Sequence, residues 1–201
     1  MNLYYVSSNK NNYNFINIEK SSKSINQIQT EILLIPDFCR EQQSISVREL
    51  KSYLVSGISF FTQNTENQIT GLINFDINQK IINILGICVP GTSQGIGSFL
   101  INNVKQFAKA NNIDKIKLTC YDSLKTFYLK QAFKIKNTST FYDSDSDNDS
   151  DSDNESNKIR YEMEYELKDF IGIGGRKKIK RRRKTIKKIK YMKKSKKYRY
   201  K

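Results

Sequence analysis

The most regular hydrophobic pattern lies in the middle of the chain. Residues 57–62 are apolar and aromatic, 69–77 resume after a polar turn at 64–68, and 80–89 is a β-branched run after Asn78-Gln79. These read as three strands of an antiparallel meander, with Asn78-Gln79 as a two-residue hairpin turn. From 95 to 111 the period changes. Ile96, Phe99, Leu100, Val104, Phe107 and Ala108 recur at helical spacing on one face, and Asn111-Asn112 ends the run. Residues 115–120 alternate through Ile116 and Leu118 as a strand. Residues 122–131 set Leu124, Phe127 and Tyr128 on one side of a second helix. Strands are expected at 132–142 and 159–167. In the latter, Tyr161, Met163, Tyr165 and Leu167 alternate with Arg160, Glu162, Glu164 and Glu166.

The first part of the chain is less regular. Residues 13–18 alternate weakly, as an edge strand does, and 28–35 read as a strand closed by Pro36-Asp37. Between 37 and 56 the apolar positions suggest one or two short helices. Ser46 is placed as an N-cap and Glu49, three residues on, completes a capping box.

Charge changes this picture at two places. The chain has 201 residues, 35 Lys or Arg, 20 Asp or Glu, no His, and a net charge of +15. Seventeen of the basic residues lie in 176–201 without a single acid, so the rest carries 18 basic and 20 acidic residues and is nearly neutral. Residues 143–155 hold seven acids and no apolar residue, a composition that reads as a disordered insertion. Asn148 and Asn154 stand where a calcium-binding EF-hand loop needs Gly and Glu. The basic tail has three uses open to it: neutralising nucleic-acid phosphates, serving as a nuclear import signal, or meeting an anionic membrane surface.

The three cysteines, Cys39, Cys88 and Cys120, show no metal-ligand spacing. With no His available, a His/Cys metal site and a disulfide framework are both disfavoured. Cys88 and Cys120 read as core thiols in a reducing, intracellular setting, cytoplasm or nucleus, with neither a signal peptide nor a membrane-spanning run expected.

The candidate chemistry sits where the meander meets the first helix, at Cys88-Val89-Pro90-Gly91-Thr92-Ser93-Gln94-Gly95-Ile96-Gly97-Ser98. A strand that runs through a glycine-rich turn into a helix N-terminus offers free amide N–H groups to a phosphate. The same glycines would also permit tight strand–helix packing. No Lys-Ser/Thr follows the glycines and no early βαβ unit precedes them, which removes the common nucleotide-binding motifs.

The element order and two motifs resemble the GNAT acetyltransferases. Thr92-Ser93-Gln94-Gly95-Ile96-Gly97 aligns with that family's central Arg/Gln-x-x-Gly-x-Gly/Ala motif. Thr126-Phe127-Tyr128-Leu129-Lys130-Gln131-Ala132-Phe133 is similar to its Phe-Tyr-x-Lys-x-Gly-Phe. Three departures stand out: Thr92 for Arg or Gln, Tyr121 for a frequent Asn, and Ala132 for a Gly.

The resemblance implies an α/β (α+β) fold: a mixed, mostly antiparallel twisted sheet flanked by helices. The domain would span 1–170, with the acidic insertion at 143–157 and a disordered basic tail at 171–201. It implies acetyl-CoA as co-substrate, with Gln94, Gly95, Ile96, Gly97 and Ser98 around the pyrophosphate and Ile87, Cys88 and Val89 along the pantetheine. Tyr128 becomes the general acid, an ordinary core tyrosine being the alternative. The acceptor is an unidentified amine and no metal is required. No acid lies on 81–89, so Asp76 and Asp122, read as turn and cap residues, are left as groups acting through a water. The other reading open at this stage is a non-catalytic module of the same fold in a nucleic-acid-associated protein.

Overall fold

The computed structural model describes residues 2–7, 12–35, 47–90, 95–141 and 158–167. The chain divides into units at 1–167 and 168–201, and all described residues belong to the first. The acidic insertion, the basic tail and the proposed N-cap Ser46 lie outside them.

Among the described residues eight strands form one sheet in the order β2-β1-β3-β4-β5-β6-β8-β7. They are β1 (Asn2–Ser7), β2 (Glu19–Lys20), β3 (Ile58–Gln63), β4 (Ile69–Asn78), β5 (Ile81–Cys88), β6 (Lys115–Tyr121), β7 (Lys134–Phe141) and β8 (Lys158–Glu166). Pairing is antiparallel except at β1–β2 and β5–β6. Among the described residues four helices accompany the sheet: α1 (Ile25–Leu34), α2 (Val47–Ser56), α3 (Ile96–Ala110) and α4 (Asp122–Lys130).

Two cores follow from strand alternation, one on each sheet face. Phe60, Ile73, Phe75, Ile82, Ile84, Ile116, Leu118 and Met163 pack with Leu100, Val104 and Phe107 of α3 and Tyr128 of α4. On the other face, Phe61, Ile69, Leu72 and Cys88 pack with Ile28 and Ile32 of α1 and Leu54 of α2. The expected meander, both later helices and the three later strands are present.

Residues 28–35 are not a strand. Ser24 caps α1 through a reciprocal box: its hydroxyl accepts from Gln27 N–H at 3.3 Å, and the Gln27 side chain accepts from Ser24 N–H at 2.8 Å. Ile28 and Ile32, four apart, supply the buried stripe. The strand next to β3 is instead β1, whose Leu3-Tyr4-Tyr5-Val6 pairs with Ser59 to Thr62.

Nor do residues 13–18 form a strand. Asn14 exchanges hydrogen bonds with the side chain of Asn111 (2.8 and 3.0 Å), the Phe15 ring stacks on Tyr5 at 3.7 Å, and Asn17 turns the chain at φ 58°. The β4–β5 hairpin closes one residue later than expected, with Asn78 opposite Ile81 and Gln79 at φ 56° in the left-handed region.

Candidate active site

β5 is built to leave its neighbour. Its ladder with β6 runs from Ile81–Lys115 to Ile84–Leu118 and ends there. In the ladder with β4, Phe75 faces Ile84 but Asn74 faces Gly86, so Leu85 is an extra, bulged residue. A bulge bends its strand and raises the local twist. Beyond Ile84, β5 continues along β4 as far as Cys88 opposite Leu72, while β6 stays with β8. The two central strands fork at Ile84 and Leu118.

α3 begins close to this fork. Its N-cap is Gly95 at φ 74°, ψ −4°, a residue with no side chain of its own to cap the helix. The first intrahelical bond runs from Phe99 N–H to the Gly95 carbonyl at 2.9 Å. The amides of Ile96, Gly97 and Ser98 precede that bond and have no intrahelical acceptor, and the positive end of the helix dipole lies there.

Glycine allows the elements to meet. A Cβ on Gly71 of β4 would stand 2.5 Å from Ile96 Cγ2. One on Gly97 would stand 3.2 Å from Phe127 Cζ and 3.8 Å from Ile87 Cδ1. The first turn of α3 is therefore pressed onto β4, the end of β5 and α4 together. Gly97, half-buried, is tightly packed, and its amide is one of the three that precede the first intrahelical bond.

Of the expected site residues, Ile87 and Cys88 are buried at the end of β5, and Val89, half-buried, packs on the core beyond it. Gly95, Ile96, Gly97 and Ser98 are the N-cap and first turn of α3. The Ser98 hydroxyl accepts from Gln131 Nε2 at 2.8 Å, which ties α4 to the first turn of α3. Gln94 and Thr92 lie outside the described residues. Tyr128 sits on α4, 3 % exposed, its ring 4.9 Å from Phe127 and 5.8 Å from Phe133.

α4 ends at Ala132 with φ 63°, where Phe133 N–H bonds the Tyr128 carbonyl at 3.1 Å. An L-residue thus occupies the left-handed cap that glycine fills most cheaply. The Gln131 carbonyl accepts from Lys105 Nζ, and that ammonium lies 4.2 Å above Tyr165. Burial lowers the Lys105 pKa to about 8.

The cysteines behave in two ways. Cys120 is a buried free thiol, pushed up to about 11 by burial and then by the Asp122 charge. Cys88 is buried but disulfide-bonded, which corrects the expectation of a core thiol. Disulfides depend on proximity in space, which spacing along the chain does not encode. Neither sulfur is a ready nucleophile.

Asp76 is a strand residue rather than a turn residue: it lies on β4 opposite Asn83, whose Nδ2 donates to it at 2.8 Å. Asp122 opens α4 and lies 3.7 Å from Lys125. Among the described residues, no group of His, Cys, Asp and Glu could hold a metal ion, and no helix is long and apolar enough to cross a membrane.

The sequence reading missed a pocket of about 410 Å³ at the fork. It is lined by Asn83, Leu85, Lys117, Thr119, Glu162 and Glu164, among others. The alternation of Glu162, Glu164 and Glu166 had signalled a polar sheet face, and Gly86 within a strand was the available sign of a bulge.

A forked parallel pair leading into a glycine-opened helix, within a mostly antiparallel sheet, is the GNAT fold. The chain has that fold, as its motifs implied. It is similar to a GNAT family acetyltransferase from Elizabethkingia anophelis with acetyl-CoA bound, at 23% identity and a TM-score of 0.52 over 66% of this chain and 91% of that one. It is also similar to the ribosomal-protein-S18-alanine N-acetyltransferase from Escherichia coli, at 13% identity and a TM-score of 0.56 over 73% and 92%. An acetyltransferase from Bacillus subtilis in complex with CoA matches at 14% identity and a TM-score of 0.55 over 82% and 99%. No family model matches the sequence.

Proposed function

We propose that the chain is an N-acetyltransferase that takes acetyl from acetyl-CoA and passes it to an amine. The fork at Ile84 and Leu118, with the glycine-opened first turn of α3 packed against Ile87 beyond it, carries this reading. Acetyl-CoA supplies the activated thioester. The amides of Ile96, Gly97 and Ser98, with Gly95 and Gln94 ahead of them, receive its pyrophosphate. Charge-assisted hydrogen bonds of this kind contribute about 1.5–3 kcal/mol each. Ile87, Cys88 and Val89 align the pantetheine along β5 in the manner of an added strand. The Val89 amide polarises the carbonyl, and Tyr128 gives its proton to the departing thiolate. The amine attacks directly, its proton leaving through water, because neither Cys88 nor Cys120 offers a thiolate for a covalent intermediate.

Calorimetric titration with acetyl-CoA, with desulfo-CoA as a non-reactive control, tests the site. Turnover of radiolabelled acetyl-CoA against classes of amine tests the activity. Binding of both CoA ligands without turnover of any amine favours the non-catalytic alternative. We assign residues 176–201 to nucleic-acid binding or targeting on their charge alone. Retention of steeply salt-dependent nucleic-acid binding after their removal overturns that assignment.

A further inference from the structure

The fork pocket contains two carboxylates in contrasting settings. Glu164 is buried and surrounded by lysines: Lys115 at 3.1 Å, Lys136 at 3.5 Å and Lys117 at 3.9 Å. Burial by itself would raise its pKa, but the hydrogen bond and charge of Lys115, with the charge of Lys136, hold it below the usual carboxylate value. Its charge is already answered.

Glu162 is different. It is exposed, and no lysine or arginine among the described residues pairs with it. Among the described residues its one hydrogen bond comes from Asn137 Nδ2 to Oε2 at 2.7 Å, and Oε1 is the atom offered to a ligand. A bulge in β7 produces this arrangement. Ile135 faces Met163 and Asn137 faces Glu162, so Lys136 is the extra residue. In a regular ladder Lys136 would stand opposite Glu162. Bulged, it reaches Glu164 at 3.5 Å and Glu166 at 3.8 Å, and a neutral amide takes its place beside Glu162.

The position of Glu162 matters as much as its charge. It faces Thr119 on β6, one residue beyond Leu118, where the β5–β6 ladder ends. Glu164 faces Lys117, which is still inside that ladder. Strand alternation sets Glu162, Thr119 and Asn83 on the face that carries α1 and α2, opposite α3. A group held by Glu162 therefore approaches the fork from the side away from the α3 N-terminus.

We propose that Glu162 receives the acceptor as an alkylammonium and so selects aliphatic primary amines. This rests on the acetyltransferase reading. The test uses the full chain and putrescine as the probe, in wild type and in Glu162→Gln, which keeps an acceptor oxygen for Asn137. Acetyl-CoA and putrescine are titrated separately by calorimetry. Glu162→Gln is expected to weaken putrescine about fivefold and to leave acetyl-CoA within twofold, as loss of one solvent-exposed ion pair implies. Where turnover is measured, the KM for putrescine rises and kcat changes little. Equal putrescine affinity in the two proteins assigns its binding to other acids, such as those of 143–155, and overturns the proposal. Absence of putrescine binding from both also overturns it. Failure of the wild type to bind acetyl-CoA defeats the acetyltransferase reading instead.

Discussion

Gly95 gives the most discriminating test of how the α3 N-terminus is made. It lies at φ 74°, and an added Cβ would meet nothing within 4 Å. Substitution therefore meets no steric obstacle, and its whole effect is the strain of holding an L-residue in the left-handed region. That strain is about 1–2 kcal/mol for Ala and less for Asn, whose short polar side chain tolerates the conformation. Gly95→Ala should destabilise the protein by about that amount in urea denaturation. If the turn relaxes instead, the loss moves to acetyl-CoA affinity, at roughly tenfold per 1.4 kcal/mol. Gly95→Asn should fall between Ala and wild type in both measurements.

Gly71 supplies the contrast. Its missing side chain is a packing requirement, since a Cβ there would lie 2.5 Å from Ile96 Cγ2. Overpacking there should destabilise by about 1–3 kcal/mol. The larger Asn should be worse than Ala, reversing the order at position 95. If Asn at 95 proves as damaging as Ala, positive φ is not what that glycine provides.

Tyr128→Phe should lower turnover while acetyl-CoA affinity stays near wild type in calorimetry, and unchanged turnover removes the hydroxyl from the reaction. Ala132→Gly should relieve the cap at φ 63° and stabilise by about 1 kcal/mol, a rise of about 2–4 °C in melting temperature; no gain would mean the cap is unstrained. Lys105, lowered to about 8 by burial, titrates before its unfolded counterpart near 10.5. Between those values the unfolded chain holds more protons, so stability rises with pH. Lys105→Met keeps the stem over Tyr165 and loses that gain, so wild type should gain on the variant between pH 7.5 and 9.5 in urea denaturation.

The parts of the fold with one clear period were legible. α3 and β8 each set their apolar residues on one face of a regular pattern, so Phe107 or Met163 declares its own side, while the meander strands, buried on both faces, were marked by apolar runs between polar turns. The early elements were less so. The isoleucines of 28–35 suit a strand by propensity, and only Ser24 with Gln27 turns them into a helix. β1 was obscured because Leu3, Tyr4, Tyr5 and Val6 are apolar on both faces, as a strand covered on both sides must be.

Within the site, the helix start was readable from Gly95 and Gly97 because backbone conformation writes itself into glycine. The fork was not, because a ladder ends through the register of three strands and leaves only Gly86 as a trace. Glu162 was visible as one of three alternating acids. Its separation from lysine depends on the bulge at Lys136, which no local pattern announces.

The account depends on the α3 N-terminus and the fork of β5 and β6 forming one acetyl-CoA site. Titration of the full-length chain with acetyl-CoA and desulfo-CoA, in wild type and Gly95→Ala, measures this directly. The expected result is saturable one-to-one binding of both ligands to wild type, with weaker binding or lower stability in Gly95→Ala. No binding of either ligand to a folded wild-type protein would contradict it.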